Sequence, residues 1–136
     1  MSDANSRWMT IAAWGKGAEL MANDSGDLAV RRRSGPPRRI SEPPPVELLP
    51  LLELPPEILL SHGGEDDETR LMESIPWQKI SAAVLEGRSD YWAYRFVTWQ
   101  SKLPRHLQRR DVLERLALSS WTGQPTRHLA RKVSRS

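Results

Sequence analysis

The chain has 136 residues, of which 38% are hydrophobic, 11 are proline and none is cysteine, so disulfide bonds, thiolate catalysis and cysteine-ligated zinc are excluded. The net charge of +3 is unevenly distributed, because residues 1–40 carry +3, residues 41–74 carry −8 and residues 75–136 carry +8. No stretch approaches the roughly 18 apolar residues of a membrane span and no secretory signal is evident, so we expect no membrane partner.

Residues 1–30 are polar and weakly patterned, and we predict an N-terminal segment that is only partly ordered. A short helix over Thr10–Met21 is the element that the pattern favours there, interrupted by Gly15 and Gly17. The pair Trp14-Gly15 resembles the tryptophan–glycine hooks that capture Argonaute proteins, although local packing is the more ordinary role for one such pair.

Residues 31–68 are rich in proline, arginine, leucine and acidic side chains, and we predict a disordered linker. Prolines fix φ and remove backbone donors, so a continuous helix through residues 43–56 is not expected, while a short helix can begin after Pro56. Two arginine runs resemble a nuclear import signal, and the leucine spacing over Leu48–Leu60 resembles a nuclear export signal. These features support an alternative function as a non-enzymatic adaptor that shuttles and binds host proteins.

Residues 69–123 are predicted to form the folded core, an α+β domain of short helices and a small sheet. A helix is expected over residues 69–87, capped by Ser74 with Pro76 in its first turn. The dense aromatic and β-branched run Tyr91–Trp99 predicts a strand. Pro104 should then open a helix to about residue 120, and residues 124–136 should form a mobile basic tail.

The inventory of reactive side chains indicates no enzyme. His62, His106 and His128 lie far apart in the sequence, and none has a carboxylate at the spacing that metal ligands need. The sequence also has no glycine-rich phosphate loop, and its carboxylates concentrate in the acidic middle segment. We therefore expect no catalytic residue, no metal site and no cofactor.

Residues 75–136 contain twelve lysines and arginines against four acidic residues, together with several aromatic side chains. A basic segment of this composition attracts a polyanion, of which nucleic acid is the commonest, although arginines also solvate ordinary helix surfaces. Double-stranded RNA presents dense phosphates and hides its base edges in a deep major groove, so a basic surface can bind it by shape and charge.

Three ordered blocks of this region, Glu73–Trp77, Tyr91–Trp99 and Leu116–Gly123, resemble the tombusvirus nineteen-kilodalton RNA-silencing suppressors. The similarity is closer to the shorter, fourteen-kilodalton aureusvirus relatives and covers roughly residues 73–123. The resemblance implies a plant-virus accessory protein that binds and sequesters double-stranded RNA, including small interfering RNA, on a basic sheet surface. It also implies a homodimer located in the host cytoplasm. The arginine runs, which resemble an import signal, predict the nucleus as a second location.

Within the resemblance, Trp77 corresponds to a tryptophan that stacks on the duplex end, and Trp92–Trp99 corresponds to a strand at the RNA-facing sheet. The family's second stacking position falls on Ile80, which has no π-face, so we expect little selection for duplex length. The expected partners are double-stranded RNA, a second copy of the chain, and a host silencing or transport protein. The residues predicted to contact RNA are Trp77, Arg95, Trp99, Lys102, Arg105, Arg109, Arg110, Arg127 and Arg131.

Overall fold

The computed structural model describes residues 8–14, 17–23, 25–33, 35–60 and 65–136. Within them the chain is α+β, with one antiparallel sheet and a larger helical part, which confirms the predicted fold class. The chain divides into two compact units. A sheet unit contains Met1–Pro44 and Leu54–Pro76, and a helical unit contains Pro45–Glu53 and Trp77–Ser136. No helix of the described residues is long and apolar enough to cross a membrane.

The sheet has four strands in the order β1-β2-β3-β4: β1 Met9–Trp14, β2 Ala18–Ala22, β3 Leu28–Arg32 and β4 Arg38–Arg39. The predicted helix over Thr10–Met21 is wrong, because its two halves pair as an antiparallel hairpin in which Ala13 faces Glu19. The hairpin is favoured because Gly17, with φ of 88°, supplies the left-handed backbone of the turn. Of the Argonaute-like pair, Trp14 ends β1 and is half-buried, and Gly15 lies outside the described residues.

The sheet unit also contains two helices, α2 Glu57–Leu60 and α3 Glu65–Ser74. The helix expected after Pro56 is α2, and it is confirmed. Gly26, with φ of 82°, lies in the turn between β2 and β3, and a Cβ built there would collide with the side chain of Arg70. The hydroxyl of Ser74 donates a hydrogen bond of 2.9 Å to the carbonyl oxygen of Gly26, so α3 packs against this turn.

The helical unit begins with a short helix, α1 Pro45–Leu48, and a 3-10 turn, Leu49–Glu53. Its main helices are α4 Trp77–Gly87, α5 Asp90–Lys102, α6 Arg110–Leu118 and α7 Gln124–Arg135, with a 3-10 turn at Arg105–Leu107. Its core is built from residues that the structure buries almost completely. They include Leu48, Leu51, Leu52, Trp77, Ile80, Val84, Phe96, Trp99, Leu113, Leu116, Ala130 and Val133.

The disordered linker predicted for residues 31–68 is wrong over its described part. Strand β4 and the helical turns of residues 45–60 lie there, and Leu51 and Leu59 are fully buried. The prolines break the segment into helical pieces of four or five residues without preventing its leucines from packing. The leucines required by the export-signal alternative are therefore largely core residues of the folded chain.

Tyr91–Trp99 is not a strand but lies within the helix α5. The buried residues of α5 are Ala93, Phe96, Val97, Trp99 and Gln100, and they follow the three- and four-residue spacing of a helix face. Tertiary packing of that face outweighs the strand propensity of aromatic and β-branched residues. The one helix predicted over residues 69–87 is instead interrupted at Pro76, which lacks the N–H that a continuous helix needs.

Candidate nucleic-acid interface

The C-terminal residues 124–136, predicted as a mobile tail, instead form the helix α7. Gly123 precedes the helix and Pro125 lies in its first turn, an arrangement typical of a helix start. Thr126, Ala130 and Val133 are buried at the three- and four-residue spacing of one helix face. Because this face enters the core, packing orders the tail that its charge alone would leave unfolded.

The opposite face of α7 is cationic. Arg131, Lys132 and Arg135 are exposed there together with His128, at relative positions i, i+3, i+4 and i+7 that share one side of a helix. No Asp or Glu occurs in α7. We call His128, Arg131, Lys132 and Arg135 the α7 basic face; with Ser136 they line a shallow depression of about 480 Å³.

A groove of about 330 Å³ runs beside this face, between α6 and α7. Three guanidinium groups line the groove, those of Arg110, Arg131 and Arg135. Glu114 is the single acidic residue in the lining of the groove. Leu118, which is 83% exposed, lies in the same lining. The α7 basic face and Arg110 thus form a continuous cationic surface on one pair of helices.

Hydrogen bonds of two side chains, Asp90 of α5 and Arg127 of α7 itself, hold the start of α7 in place. The carboxylate Oδ1 of Asp90, the first residue of α5, accepts hydrogen bonds of 2.7 Å from the backbone N–H of Gly123 and from the hydroxyl of Thr126. The guanidinium of Arg127 donates a hydrogen bond of 2.6 Å to the carbonyl oxygen of Thr122. These contacts fix the start of α7 and therefore the direction in which its basic face points.

The structure separates the cations predicted to contact RNA into two groups. Four of them make contacts within the protein: Arg95 lies over the Tyr91 ring, Arg105 donates to the Ser136 carbonyl, Arg109 pairs with Asp111 and Arg127 donates to the Thr122 carbonyl. Lys102, Arg110 and Arg131 are exposed and have no ion pair or side-chain hydrogen bond within the described residues. Of these three, the structure brings Arg110 and Arg131 into one groove.

The two tryptophans predicted to contact RNA are core residues. Trp77 is 5% exposed and Trp99 is 1% exposed. The Trp77 ring packs against Phe96 and Trp99 at centroid distances of 6.2 and 5.8 Å. The indole N–H of Trp99 donates a hydrogen bond of 3.1 Å to the carbonyl oxygen of Leu52. In this fold Trp77 has no exposed ring face on which an RNA end could stack, and Trp99 has none for a contact with RNA.

The outer side of α5 carries an exposed tyrosine pair, Tyr91 and Tyr94, which are 48% and 44% exposed. The phenol of Tyr91 donates a hydrogen bond to the carboxylate of Glu53, and this bond is the main cause that raises the pKa of Tyr91. The guanidinium of Arg95 lies 5.0 Å from the centroid of the same ring. Because Glu53 brings a negative charge, this patch is a poorer place for phosphate than the α7 basic face.

Sequence reasoning missed Lys132 and Arg135 as members of the cationic surface, although a detectable signal existed. Apolar or small residues at Thr126, Ala130 and Val133 alternate with the basic ones at helical spacing, which is typical of an amphipathic helix. Within the described residues no cluster of three metal-ligating side chains occurs, His106 and His128 are exposed, and His62 lies outside that part of the chain.

Comparisons with known proteins identify no relative of this chain. No protein-family model, no curated protein and no solved structure matches the chain.

Proposed function

We propose that the protein binds double-stranded RNA through the α7 basic face and Arg110, and that by sequestering short duplexes it suppresses RNA silencing. The observation that carries the proposal is the cationic surface of α6 and α7, on which Glu114 is the one acidic residue of the groove. A helix of twelve residues is about 18 Å long, so its cations can follow several successive phosphates.

The chemistry of this surface favours recognition of charge and shape. Arginine and lysine side chains pair with phosphate oxygens of any sequence, and A-form RNA is bound mainly through its backbone and 2′-hydroxyls. The buried Trp77 and Trp99 offer no end cap that would measure a duplex. Binding should therefore be independent of sequence and show little selection for length.

Fluorescence anisotropy with labelled RNA tests the proposal. Wild-type protein should bind a short duplex and a longer duplex of unrelated sequence, and should bind single-stranded RNA of equal length more weakly. The double variant Arg131→Ala/Arg135→Ala should lose at least about tenfold in duplex affinity, since each lost phosphate contact removes charge-assisted binding. A matched control, Arg32→Ala/Arg38→Ala, removes the same charge from the sheet unit.

An equal loss in both double variants would show that net charge alone drives binding and would contradict the assignment to α7. Equal affinity for duplex and single strand would contradict recognition of A-form geometry. The adaptor alternative is not favoured by a specific observation, because Leu51, Leu52 and Leu59 are buried.

A further inference from the structure

A second concave surface lies in the helical unit, where α4 and α6 end. It is a recess of about 310 Å³, at the small end of the range for ligand sites, lined by Leu85, Arg88, Arg115, Ser119, Ser120 and Trp121. Two arginines and a half-buried tryptophan thus surround one cavity, and its lining contains no acidic residue. This region includes Ser120-Trp121-Thr122-Gly123, the end of the third block that resembles the suppressor family. None of these four residues belongs to the RNA surface proposed on α7.

Four of the five polar side chains that line the recess have no hydrogen-bond partner within the described residues. Within the described residues, the guanidinium groups of Arg88 and Arg115, the hydroxyl of Ser120 and the indole N–H of Trp121 form no ion pair or hydrogen bond. The hydroxyl of Ser119, by contrast, is already used in a bond of 2.7 Å to the carbonyl oxygen of Arg115. A recess whose lining includes these donors and two positive charges is suited to an anion.

The backbone at Arg88 is also unusual. Its φ is 49°, in the left-handed region where glycine or asparagine is the ordinary choice, and it directly follows Gly87, the last residue of α4. A long cationic side chain therefore occupies a position that favours a small residue. Non-glycine residues with left-handed backbone are enriched at ligand sites, and Arg88 borders the recess.

The combination of two guanidinium groups, a hydroxyl and an indole is suited to a nucleotide bearing a phosphate monoester. A terminal monoester carries close to two negative charges, which matches the two arginines, whereas an internal phosphate carries one. Trp121 adds a π-face or indole edge for the adjoining base. The small volume admits a chain end of about one nucleotide and not a stretch of duplex.

We infer that the recess formed by Arg88, Arg115, Ser120 and Trp121 binds the 5′-phosphorylated terminal nucleotide of an RNA strand. This inference rests on the proposed function and refines its substrate: RNA ends carrying a 5′-monophosphate, as processed small RNAs do, are bound better than ends carrying a hydroxyl. The α7 basic face binds the phosphate backbone of the RNA, and the recess distinguishes a 5′-phosphate end from a 5′-hydroxyl end.

The experiment compares one short RNA duplex in two forms, with 5′-phosphate and with 5′-hydroxyl, on the full chain. Wild type should bind the phosphorylated form about fivefold or more tightly, the scale of a charge-assisted contact to phosphate. Arg88→Ala and Arg115→Ala should remove this preference and leave affinity for the hydroxyl form nearly unchanged. Arg131→Ala should weaken both forms by the same factor and keep the preference.

The cations of the recess have an alternative structural role, because positive charge beside a helix C-terminus is favourable. That role alone predicts a lower unfolding midpoint in Arg88→Ala with no change in the ratio of the two affinities, and this result would overturn the inference. A wild-type ratio of one would overturn it as well, while duplex binding itself would leave the proposed function standing. Failure of wild type to bind either duplex would overturn both proposals.

Discussion

The carboxylate of Asp90 accepts a hydrogen bond of 2.7 Å from the hydroxyl of Thr126, which is 1% exposed. The same oxygen accepts the backbone N–H of Gly123 at 2.7 Å. One acidic side chain at the start of α5 thus satisfies two donors at the start of α7, the helix that carries the basic face. Gly123 suits this approach, since a Cβ there would lie 2.9 Å from Asp90 Oδ2.

Replacing Asp90 with alanine should destabilise the protein by about 1–3 kcal/mol, because the Thr126 hydroxyl is left buried without its acceptor. Urea unfolding measures this loss. Asp90→Asn is the matched control, since its carbonyl oxygen can still accept both bonds without the negative charge and should restore part of the stability. Equal stability of wild type and Asp90→Ala would contradict the anchoring of α7 by this side chain.

Trp77→Ala should lower the free energy of unfolding by about 3–5 kcal/mol, the usual cost of truncating a buried tryptophan. Trp77→Phe keeps a ring against Phe96 and Trp99 and should fold with a smaller loss. Below the unfolding transition, Trp77→Phe should bind short and long duplexes as wild type does. A selective loss for short duplexes in this variant would restore Trp77 as an end-stacking residue and contradict its place in the core.

Leu52→Ala tests the leucine segment. The side chain is 2% exposed, so its truncation should cost about 2–5 kcal/mol of stability, measured by thermal or urea unfolding. Val46→Ala, at a position 66% exposed in the same segment, is the matched control and should change stability little. A folded and fully stable Leu52→Ala protein that has lost binding to a host transport protein would support the adaptor function instead.

The hydrogen bond to Glu53 raises the pKa of the Tyr91 phenol above its ordinary value of 10.0, so folding favours the neutral phenol. The stability that this bond contributes is complete below pH 10 and is lost as the pH rises through the higher pKa of the folded state. In an alkaline titration followed by tyrosinate absorbance, the ionisation step with the highest midpoint pH should therefore be absent in Tyr91→Phe. Glu53→Gln should shift that step to lower pH, and an unchanged titration would contradict the pairing.

Local sequence signals predict part of the fold well. Pro76 directly precedes α4, Gly87 is its last residue, and Pro56 precedes α2; these residues act through backbone constraints that need no tertiary context. The helix α5 escaped prediction because its aromatic residues have strand propensity while its core contacts follow a helical period. Packing against residues distant in the sequence decided between the two.

The candidate site was predicted in outline, as a basic C-terminal region, but not residue by residue. Arginines of similar appearance in the sequence differ in their contacts: Arg127 donates a hydrogen bond to the Thr122 carbonyl oxygen, whereas Arg131 is exposed in the groove. Sequence spacing alone does not reveal which guanidinium has a protein partner. The recess at Arg88 and Trp121 joins segments far apart in the chain, so only the fold brings them together.

The dependence of duplex RNA affinity on salt tests the central claim most directly. If Arg110, Arg131, Lys132 and Arg135 each neutralise one phosphate, log affinity should fall with log salt concentration with a slope of about −3 to −4, by analogy with duplex DNA. The triple variant Arg131→Ala/Lys132→Ala/Arg135→Ala should flatten the slope by about three units and weaken binding at low salt. Binding by the triple variant with the wild-type slope and affinity would contradict an interface on α7.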